Sequence, residues 1–497
     1  MASFEGAAVR DFRQRTGLLV SLALVAAVLA VASALPAAAV VGYPELEWAT
    51  RAGGTSSDYT RGVAVDSVGN VYTTGYFAGT ADFDPDPVDV FNLTSAGGFD
   101  VFVQKLDSDG DFVWATRIGG TSTVAGFGVA VDSVGNVYTT GQFSGTADFD
   151  PDPVATFNLT SAGSYDVFVQ KLDSSGDFVW ATRTGGTSNA EGRGLVVDSV
   201  GNVYITGNFE GAADFDPDLV DTFNLTSAGS DDVFVQKLDL SGDFVWATRA
   251  GGTDWDQGLG VAVDSVGNVY ITGDFYGTAD FDPDPVATFN LTSAGSTDVF
   301  VQKLDSSGNF VWATRAGGIS PDVGYGVGVD SVGNVYITGD FAGTADFDPD
   351  PVDTFNLTSA GSYDVFVQKL DSSGDFVWAT RTGNSSSDGS RGLVVDGLGN
   401  VYITGNFEGA ADFDPDPVGV FNLASAGGSD VFVQKLDSSG DFVWAIRIGG
   451  TDYDYGLGVA VDSVGNVYTT GRFAGTADFD PDPVGVFNMT SAGGDDV

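Results

Sequence analysis

The sequence has no cysteine and no histidine, and only 20 lysine and arginine residues against 68 aspartate and glutamate residues. Without cysteine or histidine, disulfide frameworks, thiolate or histidine zinc sites and histidine-based catalysis are excluded. The formal net charge of −48 excludes a nucleic-acid-binding surface, because such a surface must attract phosphate groups. A surface this acidic instead attracts divalent cations or basic partners, and it also keeps an exported protein in solution.

Residues 1–39 have the three parts of a secretory signal peptide. Arg10, Arg13 and Arg15 precede an apolar run from Leu18 to Leu35, and small residues follow it. We expect cleavage after Ala39, and therefore a secreted, extracellular or cell-surface protein. The alternative is an uncleaved N-terminal anchor, because the run is long enough to cross a bilayer. Apart from that anchor, we expect no membrane contact.

The rest of the chain is strongly periodic, and hydrophobic residues make up 43% of the sequence, enough for a packed core. Tryptophan recurs every 66 residues without insertion or deletion, and only Trp255 falls outside the series. A period of this length is typical of repeat architectures in which each unit is covered by its neighbours. The repeats begin near Trp48, Trp114, Trp180, Trp246, Trp312, Trp378 and Trp444.

Each repeat predicts four antiparallel β-strands that are rich in Val, Phe, Tyr, Thr and Trp. Short turns with Asp and Gly join the first strand to the second and the third to the fourth. Because both faces of such a sheet are apolar, neighbouring sheets must cover them. The sequence therefore predicts an all-β fold, a β-propeller of about seven four-stranded blades over residues 45–497. In the first copy the predicted strands are Gly62–Asp66, Val71–Phe77, Asp100–Leu106 and Phe112–Arg117.

The two ends of the repeat region predict how the ring closes. Glu45–Arg51 matches a fourth strand with no first three before it, so we expect it to complete the last blade. Val497 aligns with Val101, so the last blade is incomplete at its third strand. We expect the sequence to be a fragment, and the alternative is a ring that tolerates one missing strand.

Two segments resemble a known repeat family. GVAVDSVGNVYTTG at 62–75 and DVFVQKLDSDGDFVWATRIGG at 100–120 are similar to the SBBP, or seven-bladed β-propeller, repeats of bacterial exported proteins, and more loosely to NHL-type blades. The resemblance implies a propeller in a bacterial surface or secreted setting, and it implies no defined activity. This chain departs from the pattern by a long insertion between the second and third strands, which carries the motif ADFDPDP.

The inserted motif predicts a candidate metal site. Aspartates at i, i+2 and i+4 resemble a calcium loop, and Ca²⁺ would relieve their mutual repulsion. However, Pro stands where a calcium loop needs Gly, in every copy but one, so a metal-free turn and cap is the alternative. The trios are Asp82, Asp84, Asp86; Asp148, Asp150, Asp152; Asp214, Asp216, Asp218; Asp280, Asp282, Asp284; Asp346, Asp348, Asp350; Asp412, Asp414, Asp416; and Asp478, Asp480, Asp482.

The blade-to-blade loops are where the copies differ most, which predicts a ligand face. Strand direction puts these loops and the long acidic insertions at the same end of each blade. Aromatic residues there could stack on a glycan or anchor a protein partner. The alternative is that they fill the gap between blades. The residues are Tyr59, Phe127, Trp255, Tyr325, Tyr453 and Tyr455.

Near-identical blades favour a non-catalytic binding or scaffold module, because repeated weak sites suit multivalent binding whereas an active site needs unlike residues converging once. We therefore predict no catalytic residues and no cofactor other than Ca²⁺. Two alternatives stay open. One is a glycosidase-like, carbohydrate-active enzyme that uses paired aspartates, and the other is a structural spacer in a larger surface protein.

Overall fold

The protein is described by a computed structural model that covers residues 44–218, 220–482 and 484–497, so the predicted signal peptide lies outside the described residues. The described secondary structure is entirely β. It forms seven successive units, one per repeat, which we call blades 1 to 7. Among the described residues, no helix has the length and hydropathy needed to cross a bilayer.

The strands follow the same order in every blade. The first strands are Tyr59–Val65, Val124–Val131, Ala190–Val197, Asp256–Val263, Asp322–Val329, Gly389–Val395 and Tyr455–Val461. The second strands are Val71–Phe77, Val137–Phe143, Val203–Asp214, Val269–Phe275, Val335–Phe341, Val401–Asp412 and Val467–Arg472. The third strands of blades 1 to 6 are Asp100–Leu106, Asp166–Leu172, Asn224–Leu238, Asp298–Leu304, Asp364–Leu370 and Asn422–Leu436. The fourth strands are Phe112–Gly120, Phe178–Gly186, Phe244–Gly252, Phe310–Gly318, Phe376–Thr382 and Phe442–Gly450.

Neighbouring strands within each blade are antiparallel, and the turns between them are built by aspartate. In blade 1, Tyr59 pairs with Tyr76, and Val71 pairs with Leu106. The Asp66 carboxylate accepts hydrogen bonds from the backbone N–H of Asn70 at 2.9 Å and from the Tyr72 hydroxyl at 3.0 Å. This aspartate therefore fixes the first hairpin turn and orients the tyrosine that enters the core.

The insertion forms a short hairpin that joins adjacent blades. In blade 2 its first arm pairs with the fourth strand of blade 1, Gly119 with Asp148 and Gly120 with Ala147. This pairing lengthens the fourth strands to Gly120, beyond the predicted end at Arg117. The separate hairpin arms are Thr80–Asp82 with Asn92–Thr94, Thr146–Asp148 with Asn158–Thr160, Thr278–Asp280 with Asn290–Thr292, Thr344–Asp346 with Asn356–Thr358, and Thr476–Asp478 with Asn488–Thr490; the two-residue strand Gly53–Gly54 pairs with the first of them.

The first strands pack side by side in a circuit that returns to its start. One glycine in each first strand lets the next first strand approach closely. A Cβ atom placed on Gly62 would lie 3.2 Å from a Val129 side-chain carbon, and one on Gly458 would lie 3.1 Å from Val63, back in blade 1. No sheet closes by hydrogen bonds, so packing alone completes the ring. The seven glycines are Gly62, Gly128, Gly194, Gly260, Gly326, Gly392 and Gly458.

Each core cluster draws on two adjacent blades. Val101 and Val103 of blade 1 pack with Phe143 and Phe168 of blade 2, and all four are at most 1% exposed. A blade with two apolar faces is therefore covered on both sides, as the sequence predicted. The described structure confirms an all-β propeller with seven blades.

The closing segment differs from the prediction. Residues 45–51 carry no strand, although Arg51 pairs with Asp496 at 2.6 Å just as Arg117 pairs with Asp100 in blade 1. Ala52 exchanges two backbone hydrogen bonds with Val497, of 2.9 and 3.0 Å. The segment occupies the fourth-strand position of blade 7, but only its end has a third-strand residue with which to pair.

Candidate functional site

The basic residues show where the blades differ in chemistry. In every blade, an arginine in the fourth-strand position pairs with a buried aspartate at the third-strand position, as Arg117 does with Asp100. In blades 1 to 6 a lysine lies over the core tyrosine, as Lys105 does over Tyr72. The remaining basic residues of the described chain belong to no repeated pair. They are Arg61, Arg193, Arg391 and Arg472.

All four arginines lie at one end of the inner strands, in a set of positions that we call the variable rim. The rim comprises positions 59, 61 and 76 with their equivalents at 66-residue spacing. The first position holds Tyr59, Ala125, Glu191, Gln257, Val323, Gly389 and Tyr455; the second holds Arg61, Phe127, Arg193, Leu259, Tyr325, Arg391 and Leu457; the third holds Tyr76, Gln142, Asn208, Asp274, Asp340, Asn406 and Arg472.

Aromatic and arginine side chains of the rim contact one another where the ring closes. The Tyr59 and Tyr76 rings are 5.0 Å apart, and Arg61 donates to the Tyr76 hydroxyl at 3.0 Å. The Arg472 guanidinium of blade 7 lies 5.0 Å from the Tyr59 ring and 4.5 Å from the Tyr455 ring. Stacking of this kind holds the rings and the guanidinium in fixed orientations.

Arg193 of blade 3 extends the same cluster. Its guanidinium lies 4.8 Å from the Phe127 ring of blade 2 and forms an ion pair with Glu191. The Phe127 ring in turn is 6.4 Å from Tyr76. The cluster therefore spans blades 7, 1, 2 and 3 with half-buried aromatic rings and three arginines.

Across blades 4 to 6 the rim carries acids and one arginine. Arg391 lies 3.9 Å from the Tyr325 ring and 2.7 Å from the Asp340 carboxylate. Burial raises the pKa of Tyr325 to about 12. Asp274 has no arginine beside it, so burial and then the charge of Asp256 raise its pKa to about 7. The two halves of the rim therefore differ in charge.

The structure brings together four of the six predicted ligand-face residues. Tyr59, Phe127, Tyr325 and Tyr455 are rim residues, whereas Trp255 and Tyr453 are 39% and 59% exposed in the loops that precede the first strands. The sequence comparison missed the arginines and the second-strand position 76. Comparing the copies at Gly75-X-Phe77 would have found that position, because X differs in most of the blades.

The acidic trios are placed as turn caps. Asp82 accepts the backbone N–H groups of Asp84 and Phe91 at 3.1 and 2.9 Å, and Asp84 accepts that of Asp86 at 3.0 Å. The other six copies repeat these bonds. Within the described residues, no three acidic side chains form a group that could hold a metal ion. The trios therefore have the turn-and-cap arrangement, and calcium binding stays a prediction.

The acidic loops do not share a face with the rim, which corrects the predicted ligand face. Asp150 and Asp152 lie beside Ser175–Phe178, the turn before the fourth strand of the same blade. The Phe157 ring at the base of this loop is 4.9 Å from Phe178. The hairpin of the insertion folds along the outside of the blade, so its tip lies toward the end opposite the rim.

Known proteins support the repeat architecture. The SBBP β-propeller repeat matches residues 47–76, 113–142, 179–208, 245–274, 311–340, 377–406 and 443–472. The chain is 25% identical to an uncharacterized WD repeat-containing protein of Acanthamoeba polyphaga mimivirus, over 86% of this chain and 36% of that protein. It is 26% identical to the regulatory protein FlaEY of Caulobacter vibrioides, over 84% of this chain and 44% of that protein.

The chain therefore spans less than half the length of either relative. Both relatives are named as repeat or regulatory proteins rather than as enzymes. Among solved structures, Sqt1 from Chaetomium thermophilum matches with a TM-score of 0.40 and 10% identity, over 85% of this chain and 96% of that one. Seven repeat matches on seven structurally equivalent blades identify the chain as a member of the SBBP β-propeller repeat family.

Proposed function

We propose that this chain is a non-catalytic binding module whose variable rim holds a glycan. The observation that carries the proposal is that the four arginines outside the repeated framework all lie on the rim, with Tyr59, Tyr76, Phe127, Tyr325 and Tyr455. The rest of each blade repeats almost unchanged, so the rim is where one blade is chemically distinct from another.

The chemistry of the rim suits a polyhydroxylated ligand. Aromatic rings offer flat apolar faces on which sugar rings stack. Guanidinium, amide and carboxylate groups supply planar donors and acceptors for hydroxyl groups, and the rim places Arg61, Gln142 and Asn208 in successive blades. Several blades can contact one long ligand at once, which favours binding over a single catalytic centre.

Binding to an array of neutral and acidic polysaccharides tests the proposal. We expect Tyr455→Ala to weaken binding about tenfold, because losing one stacked ring costs on the order of 1.4 kcal/mol. Phe487→Ala is the control, since this 43% exposed aromatic lies in the insertion hairpin of blade 7. An equal loss in both variants, or no binding across the array, would argue for a structural spacer instead.

We also propose export and calcium binding, each supported by sequence. Export rests on the basic, apolar and small-residue pattern of residues 1–39. Calcium rests on the spacing of the aspartate trios. Isothermal titration with Ca²⁺ is expected to give heat, and a chelator is expected to lower the melting temperature. No heat and an unchanged melting temperature would contradict calcium binding.

A further inference from the structure

Blade 7 contains a strand-sized cleft next to its second strand. The cleft is a cavity of about 480 Å³, lined by residues 44–50 on one side and Val467–Arg472 on the other. Blade 6 contributes Val431 and Val433 to its walls, and blade 1 contributes Gln104 and Leu106 among others. In blades 1 to 6, the third strand occupies the corresponding space between the second and fourth strands.

The six complete blades show which contacts this space provides. The core threonine of the second strand, such as Thr74, donates to the carbonyl of the third-strand Phe102 at 2.8 Å. Gln104 of the third strand donates to the Phe83 carbonyl at 2.6 Å. Lys105 lies 5.1 Å from the Tyr72 ring. The threonine and glutamine bonds recur in blades 2 to 6.

Blade 7 presents the same groups in a different state. Thr470, the equivalent of Thr74, is hydrogen bonded to Thr60 of blade 1 at 3.1 Å instead. Phe479, whose carbonyl corresponds to that of Phe83, lines the cleft. The second strand is partly exposed along its whole length, whereas its six equivalents are almost entirely buried. Tyr468 has Trp48 beside it at 6.0 Å, as each core tyrosine has its tryptophan.

The local charge also matches that of a lysine-bearing strand. The Tyr468 hydroxyl donates to Asp462, and the charge of Glu47 acts on the same tyrosine. In blade 1 a lysine amino group occupies the position over the tyrosine ring. A strand entering blade 7 with lysine at this position would meet an aromatic face flanked by two carboxylates.

We propose that this cleft is a docking site for one extended strand with the residue pattern Phe-Val-Gln-Lys-Leu, the pattern shared by the third strands of blades 1 to 6. The strand pairs antiparallel with Val467–Arg472, accepts from Thr470, donates through its glutamine to the Phe479 carbonyl and places its lysine over Tyr468. Val497 leads into the cleft, because its backbone already pairs with Ala52. This is recognition by strand addition, in which the backbone gives affinity and alternate side chains give specificity.

A peptide with the sequence of residues 102–111, FVQKLDSDGD, tests the site on the unaltered protein. We expect saturable 1:1 binding of the labelled peptide by fluorescence anisotropy and a higher melting temperature of the complex. The same peptide with glutamate in place of lysine is expected to bind at least about tenfold more weakly, and the reversed sequence is expected not to compete. Tyr468→Ala in the protein is expected to remove the preference for lysine over glutamate.

Three results would overturn the proposal. The first is no binding of the FVQKLDSDGD peptide. The second is equal binding of its reversed sequence, because register-specific contacts would then be absent. The third is a dimer of the chain that persists at saturating peptide, since a second copy would then cover the cleft.

Discussion

Gly260→Val is expected to lower the free energy of unfolding by about 3 kcal/mol, because it overfills the contact between two inner strands. A Cβ atom on Gly260 would lie 2.8 Å from the backbone oxygen of Tyr325 and 3.2 Å from the backbone nitrogen of Val327. Backbone atoms cannot rotate away as a side chain can, so blades 4 and 5 must separate. Urea unfolding followed by tryptophan fluorescence measures the change.

The ring makes this contact more costly to lose than a contact in an isolated sheet. Each blade has two apolar faces and depends on both neighbours, so separating one pair exposes core residues on both blades. Gly397→Ser is the matched control, because no atom lies within 4 Å of a Cβ at Gly397 and blade 1 has Ser67 at the same position. The control should unfold within about 0.5 kcal/mol of the native chain. Equal urea midpoints for Gly260→Val and the native chain would disprove the packing role of this glycine.

Local signals predicted the blade well, because its hairpins are short and built by Asp and Gly. The second and third strands of blade 1 have the predicted bounds, Val71–Phe77 and Asp100–Leu106. The fourth strand extends three residues further than predicted, to Gly120. Those last residues pair with a hairpin from the next blade, and no pattern within one repeat contains that partner.

The candidate site was predicted only in part, for a similar reason. Differences among the loops identified Tyr59 and Tyr325, but Arg391 becomes informative only when Asp340 and Tyr325 of the preceding blade are seen beside it. The spacing of Asp82, Asp84 and Asp86 resembles a calcium loop. In the structure each carboxylate instead bonds to a backbone N–H two residues later, which the same spacing also allows.

Stability is expected to be highest near pH 5 and lower at pH 8. Burial raises the pKa of Asp256 and Asp322 to about 7, and that of Asp58, Asp388 and Asp454 to about 6. These folded-state pKa values exceed the unfolded ones, so the folded chain binds protons more tightly and loses stability as pH rises through 6 to 7.

The acid side of the optimum has a different cause. Burial raises the pKa of Asp66, but hydrogen bonds from Asn70, Val68 and Tyr72 together lower it below its ordinary value. This group and its six equivalents therefore lose their stabilising effect as the pH falls below about 4. Urea unfolding at pH 3, 5 and 8 in high salt, which screens the net charge, measures the optimum. A stability that rises steadily from pH 5 to pH 8 would contradict it.

Asp274→Asn is expected to stabilise the protein at pH 8 by about 1–3 kcal/mol and to change little at pH 5, because each unit of pKa shift corresponds to about 1.4 kcal/mol. Asp274 is 2% exposed, and the ionised carboxylate has only the acid Asp256 as its charged neighbour among the causes of its raised pKa. Blades 3 and 6 already carry asparagine at this position, as Asn208 and Asn406, so the amide fits the space.

The same substitution in the next blade should have the opposite sign. Asp340 occupies the equivalent position, but its carboxylate accepts from Arg391 at 2.7 Å and from the Ser390 backbone N–H at 2.8 Å. Asp340→Asn removes the negative charge and leaves a largely buried guanidinium without its counter-ion, which costs several kcal/mol at pH 8. Comparing the two variants at pH 8 therefore separates burial from ion pairing. If both lowered the unfolding free energy equally, an unpaired buried charge at Asp274 could not be the source of the pH dependence.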